Sequence, residues 1–397
     1  MCNIYISKYI MSFTEESIKL QKFIKSFDKF TTENLTKTRK LVIKSFFVKM
    51  NYYHYNKPPC LNGLNTKQDY KIKYSNLFNA IPEKIQNDIK SNYTTIYKTT
   101  YKIHSKTVNY HIYIKPKQIT TKEIDDMIYK MNLWLSIAVE IANNACSGTL
   151  DIHFFFTEHK KITPEYNKPI DRIHANTAFT TSCSPENEIY IYRKEEWFKV
   201  FIHECFHCLG LDFSHMNVEN SNKYINNLFS TKINDIRLYE SYCETWAETL
   251  NLVFIAFIRT VTKINYEEMF KMFQNMFNEE LTFSIYQMTT ILKKQNIKYS
   301  DLLIKDNANV YTENTNAFSY YIIKSINMFN MNKFISWCSK NNRNVIDFKK
   351  NNNNIMEYCY FIKKHYKNPN FIRAIKYIEN PRKAPVDTLR MTAFEIL

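Results

Sequence analysis

Glycine is almost missing from this chain, three in 397 residues, while Lys, Asn, Ile, Tyr and Phe are in excess. That bias points to AT-rich coding DNA as much as to structural demand. No long apolar run is present either. The longest, Leu252 to Ile258, is far short of the ~20 residues that span a bilayer, so no transmembrane segment is expected. The first residues, MCNIYISKYIMSFTEES, lack a continuous apolar stretch and a small-residue cleavage site, so no secretory signal is expected. The nine cysteines are odd in number and show no paired spacing. Reduced thiols and an intracellular home, cytoplasmic or inside a virion if the source is viral, fit this better than a disulfide framework.

Charge is unevenly spread. Residues 1–120 carry 21 Lys and Arg against 7 Asp and Glu, and the remainder 33 against 31. The formal charge of +16 therefore belongs mostly to the first third. Such a region can attract an anionic partner, nucleic acid or acidic protein, or be a lysine-rich solvated face. No nucleic-acid motif accompanies it.

Periodicity gives a coarse map. Residues 14–50 read as helical, and Lys57-Pro58-Pro59 with Leu61-Asn62-Gly63 mark a loop. Residues 93–115 alternate as a hairpin turning near Ser105-Lys106. Thr121 to Ala145 is an amphipathic helix, and Leu150 to Phe156, Asn176 to Thr181 and Ile189 to Tyr192 are short strands. From Thr260 onward the pattern is mainly helical, with a loop or small disordered insertion expected at Asn351 to Asn354. The expected organisation is α+β: a basic N-terminal region (1–118), a core with a small mixed sheet (119–260) and a helical C-terminal part (261–397).

The chemistry is concentrated in WFKVFIHECFHCLGLD, Trp197 to Asp212. His203, Glu204 and His207 follow the order H-E-x-x-H. Helical positions four apart lie about 40° apart around the axis, so both imidazoles point one way and can grip one metal ion. Glu204 sits beside them to take a proton from the water that the metal activates. Glu195 and Glu196 favour the helix N-terminus, and Gly210 can close its C-terminus. The alternative is a core helix whose histidines hydrogen-bond to neighbours. Cys205 and Cys208 form a C-x-x-C, but Cys205 lies about 200° around the axis from His203. Buried apolar thiols are the reading for both.

Two histidines leave a catalytic zinc one protein ligand short. Leu238 to Ile258 is a strong helical run in which Glu240, Glu244 and Glu248 recur every four residues. Glu244 is the candidate third ligand. Glu248, one turn on, could hydrogen-bond a ligand imidazole from outside the metal's own donors. Asp212 and His215 are rival ligands beyond the motif helix. A solvated acidic face is the plain alternative for the stripe.

HECFH followed by ETWAE resembles the gluzincin type of zinc metallopeptidase, in which H-E-x-x-H is completed by E-x-x-x-D or E-x-x-A-D. Here Glu248 stands in place of the final Asp. The segment NTAFTTS before EIYIY resembles that clan's edge strand, which implies that backbone groups at Ala178 and Phe179 hold an extended peptide. In general style the chain is also similar to uncharacterised metallopeptidase-like proteins of large DNA viruses. The resemblance implies a zincin-like core around the motif helix and a Zn2+ cofactor. It implies peptide hydrolysis with Glu204 as general base and a Tyr or His supporting the oxyanion. Tyr242, Tyr320 and Tyr321 are candidates for that donor.

Overall fold

The computed structural model describes residues 12–27, 35–56, 65–68, 75–229, 231–262, 264–304, 311–379 and 384–396. In chain order the first elements are α1 (Glu15–Ile24), α2 (Lys37–Asn56), β1 (Asn65–Gln68) and α3 (Glu83–Asn92). The hairpin β2 (Thr95–Ile103) and β3 (Lys106–Ile114) leads into α4 (Thr121–Ile141), β4 (Thr149–Phe155), α5 (Arg172–Ala175), β5 (Ala178–Thr180) and β6 (Glu186–Ile191). Helices follow: α6 (Trp197–Cys208), α7 (Glu219–Phe229), α8 (Leu238–Thr260), α9 (Tyr266–Lys294), α10 (Lys324–Phe329), α11 (Met331–Asn341), α12 (Asn352–His365) and α13 (Pro369–Ile378). The class is α+β with one small mixed sheet.

The chain divides into two units that interleave in sequence rather than follow it in blocks. The first is built from Val48–Lys160 and Asn176–Leu211. The second takes the described residues up to Phe47, Lys161–Ala175 and everything from Asp212.

In the first unit the strand order is β1-β2-β3-β4-β6-β5. The β2–β3 hairpin is antiparallel, β3, β4 and β6 run parallel, and β5 returns antiparallel at the edge. Helix α4 makes the crossover from β3 to β4, as parallel neighbours require. It starts at a capping box in which Thr120 and Glu123 satisfy each other's backbone N–H groups. Alternation on β3 sends Val108, Tyr110 and Ile112 inward, and the Tyr110 hydroxyl donates to Asn132 of α4 at 2.5 Å. The other face carries a row of parallel rings, Phe179, Tyr190, His153 and His111, on four successive strands. The second unit is a helical assembly in which α8 lies among α9, α10 and a π-helical turn at Phe318–Ile323.

Several expectations change. The helix expected at 14–50 is two helices, and the loop expected at 57–63 lies outside the described residues. Asn351 to Asn354 is no loop: Asn351 caps α12 by accepting from the N–H of Asn354, a role for which Asn is among the best residues. The thiols are not all reduced either, since Cys146 and Cys183 form a disulfide. Their separation of 37 residues gave no spacing signal. They meet because each sits just before one of two neighbouring parallel strands, β4 and β6.

Candidate metal centre

Helix α6 is buried along its whole length. It packs on β5 and β6 and beside α4, with Phe154 against Trp197 and Trp134 over Phe206. Its start is set by Glu196, which adopts a left-handed backbone at φ 59°. Its end is a Schellman motif. Gly210 at φ 63° donates its N–H to the His207 carbonyl at 3.0 Å, and Leu211 donates to Phe206 at 2.8 Å. A side chain at Gly210 would strain that turn, so one of the three glycines is spent on stopping the motif helix.

Within α6 the His203 and His207 Nε2 atoms lie 3.1 Å apart, with ring centroids 4.9 Å apart and planes inclined at 74°. Glu204 is buried at 6 % exposure beside them. Two inward-facing imidazole nitrogens and a carboxylate suit a borderline-soft divalent ion such as zinc. Cys205 and Cys208 are free, buried thiols, and burial pushes the Cys205 pKa well up, so Cys205 is no ready thiolate. That agrees with the sequence reading of this C-x-x-C.

In the second unit α8 buries all three members of the acidic stripe: Glu240 at 7 %, Glu244 at 1 % and Glu248 at 0 %. They are not a solvated face. Glu248 Oε1 accepts from the Lys324 ammonium at 2.7 Å, and neither side chain is exposed. Asp212 is fully buried, accepting from Ser214 Oγ at 3.0 Å and lying 3.6 Å from the Cys243 sulfur. His215 lies beyond this pair, its pKa lowered by burial and then by Lys350.

Among the described residues, buried His, Glu, Asp and Cys side chains could hold a metal ion, and His203 and His207 of the first unit are among them. The expectation from sequence placed the third ligand at Glu244, between Glu240 and Glu248 on the same helix, and periodicity alone cannot choose between turns. Lys324 was not legible as a partner of the stripe, since 76 residues separate it from Glu248.

Of the tyrosines considered as donors, Tyr242 is fully buried with its hydroxyl accepting from Asn342, and Tyr321 donates to the Leu389 carbonyl. Tyr320 is buried at 8 % exposure. Ala178 and Phe179 lie on β5, the strand that ends the sheet. The Phe179 ring stacks on Tyr190 at 5.2 Å. Among the described residues no helix is long and apolar enough to cross a membrane. Comparison with protein-family models, with curated proteins and with solved structures finds no match to this chain.

Proposed function

We propose that this chain is a zinc-dependent peptidase whose metal is held by His203, His207 and a carboxylate of α8. The observation that carries the reading is the 3.1 Å approach of two buried imidazole nitrogens on one helical turn, with Glu204 next to them. Glu244 is the carboxylate proposed from the spacing of the stripe, and Glu240, one turn earlier on the same helix, is the alternative. Zinc bound there would supply Lewis acidity, lowering the pKa of a water and polarising a scissile carbonyl.

The protein's own groups then do the proton work. Glu204 takes the proton of the attacking water and passes it to the leaving amine. Burial of Glu204 keeps bulk water from competing for that proton. The edge strand β5 offers the backbone of Ala178 and Phe179 to an extended peptide, which would add as a further strand. Substrates are therefore unfolded or loop segments of proteins.

The alternative, a non-catalytic binder recruiting an anionic partner through residues 1–120, draws less support. Lys40 and Lys44 both pair with Glu267, and Arg39 donates to Ser336 at 2.6 Å. These cations are engaged within the protein rather than presented together. The deciding experiment combines elemental analysis of purified protein with digestion of a peptide library by wild type and Glu204→Gln. About one zinc per chain, with cleavage by wild type alone, supports the proposal. A wild type that stays metal-free after zinc supplementation sinks it.

A further inference from the structure

The Cys146–Cys183 disulfide lies beside the edge strand and is bonded into the end of the motif helix. Cys183 is in the five-residue link between β5 and β6, and Cys146 is three residues before β4. The two loops run side by side. The Ser147 N–H donates to the Ser184 carbonyl at 2.6 Å and Thr149 N–H to the Pro185 carbonyl at 3.2 Å. A Cβ on Gly148 would meet that same Pro185 oxygen at 3.3 Å.

Asn187 organises the link from inside. Its Nδ2 donates to Thr181 Oγ1 at 2.8 Å and to the Ser182 carbonyl at 3.0 Å. Its Oδ1 accepts from the Ser184 N–H at 3.1 Å and from Ser147 Oγ at 3.0 Å. The Ser147 hydroxyl also lies 2.8 Å from the carbonyl of Cys208, the residue after His207. One compact polar knot thus joins the disulfide, the β5–β6 link and the C-terminal end of α6. Strand β5 is short: three residue pairs join it to β6, the Tyr192 N–H donates to the Thr177 carbonyl at 3.0 Å before them, and this knot fixes the end that follows.

We propose that the disulfide is a redox control on the edge strand: oxidised, it holds β5 in register; reduced, it lets residues 176–184 loosen while α6 stays folded. Reduction is a balanced exchange with a dithiol. One thiolate of the reductant attacks the sulfur of Cys183, the partly exposed partner, and the S–S bond breaks. Cys146 leaves as a thiolate and takes up a proton. The second thiol of the reductant then displaces Cys183, leaving two cysteine thiols and an oxidised reductant. The Lys106 ammonium donates to the carbonyls of Asn144 and Cys146, putting a positive charge near the departing thiolate.

The test uses full-length protein before and after dithiothreitol, with thiol alkylation counted by mass and amide hydrogen exchange read by peptide. Exchange over 176–184 is expected to rise about tenfold on reduction, while α4 and α6 change little. A uniform rise across the first unit, or no rise after complete reduction, overturns the proposal and leaves a plain structural staple. Alkylation of both cysteines before any reductant is added overturns it as well. The Cys183→Ser variant should show the loosened strand without reductant, and if it fails to fold the wild-type measurement still decides. One arm rests on the peptidase reading: reduction should raise KM with zinc content and kcat nearly unchanged. Should no peptide be cleaved in either state, that reading fails, while hydrogen exchange still judges the switch.

Discussion

Lys324 holds its ammonium 2.7 Å from Glu248 Oε1 with both side chains fully buried. The pair fixes the inner end of the acidic stripe on α8, immediately after the π-helical turn that delivers Lys324. Removing one partner strands a buried charge, whereas replacing both with apolar groups need not. Glu248→Gln is therefore expected to cost about 3–5 kcal/mol of unfolding free energy, and Lys324→Met with Glu248→Leu distinctly less. Denaturant titration of the single and double variants checks this. If Glu248→Gln instead weakens zinc binding with stability intact, Glu248 serves the metal and the ion pair is incidental.

The metal set makes a second prediction. His203→Ala and His207→Ala should each abolish stoichiometric zinc, since two protein donors cannot replace three. Glu204→Gln should retain zinc and lose hydrolysis. On α8, Glu244→Ala is expected to weaken zinc more than Glu240→Ala. Removing a carboxylate that only orients a ligand imidazole typically costs about 10–100-fold in affinity. Competition against a chromogenic chelator ranks the variants, and the reverse order would move the ligand role to Glu240.

How far this was legible follows from the kind of signal involved. His203, Glu204 and His207 were readable because helical geometry fixes i and i+4 on one face, and the helix needed only its apolar neighbours to form. The β2–β3 hairpin, α4 and the order of the following strands were readable from period-two and period-3.6 patterns. For a third ligand the sequence narrows the choice only to the stripe, because Glu240, Glu244 and Glu248 share one face and periodicity does not separate them. Cys146–Cys183 and Lys324–Glu248 were invisible because each joins residues far apart in sequence through the packing of elements. Asn351 misled because a polar run marks a loop and a helix N-cap equally well.

The basic N-terminal residues make a further prediction. The ammoniums of Lys40 and Lys44 hold the Glu267 carboxyl at about 2, chiefly by direct hydrogen bonds. Reversing both lysines to Glu should raise that pKa, and the effect should shrink with salt because these charges face solvent. Titration of Glu267 by NMR in wild type and the double variant reads this directly. A partner-binding role for this region would show instead in the salt dependence of duplex DNA binding, whose log–log slope should flatten by about 0.9 for each phosphate that the variant leaves unneutralised. Unchanged partner binding in the variant would leave these lysines as internal staples.

The last prediction sets the two units against each other in pH. His153, stacked between His111 at 4.6 Å and Tyr190 at 4.5 Å, has its pKa lowered from 6.5 to about 3, first by burial and then by His111. The unfolded chain binds this proton near 6.5 and the folded one does not, so stability is full above that value. It is lost as pH falls toward about 3, at up to ~1.4 kcal/mol per pH unit. In the second unit Glu313 is raised from 4.5 to about 8 by burial, although it accepts from the Phe318 N–H and the Tyr311 hydroxyl. Here the folded state keeps the proton longer, so its contribution is full below 4.5 and is lost as pH rises through about 8. Acid should therefore loosen the sheet unit first and mild alkali the helical unit first. Hydrogen exchange at pH 5, 7 and 8.5, corrected for intrinsic rates, separates the two by peptide. His153→Phe should flatten the acid limb and Glu313→Gln the alkaline one. Loss of protection in both units together at either extreme would show that neither group governs its own unit.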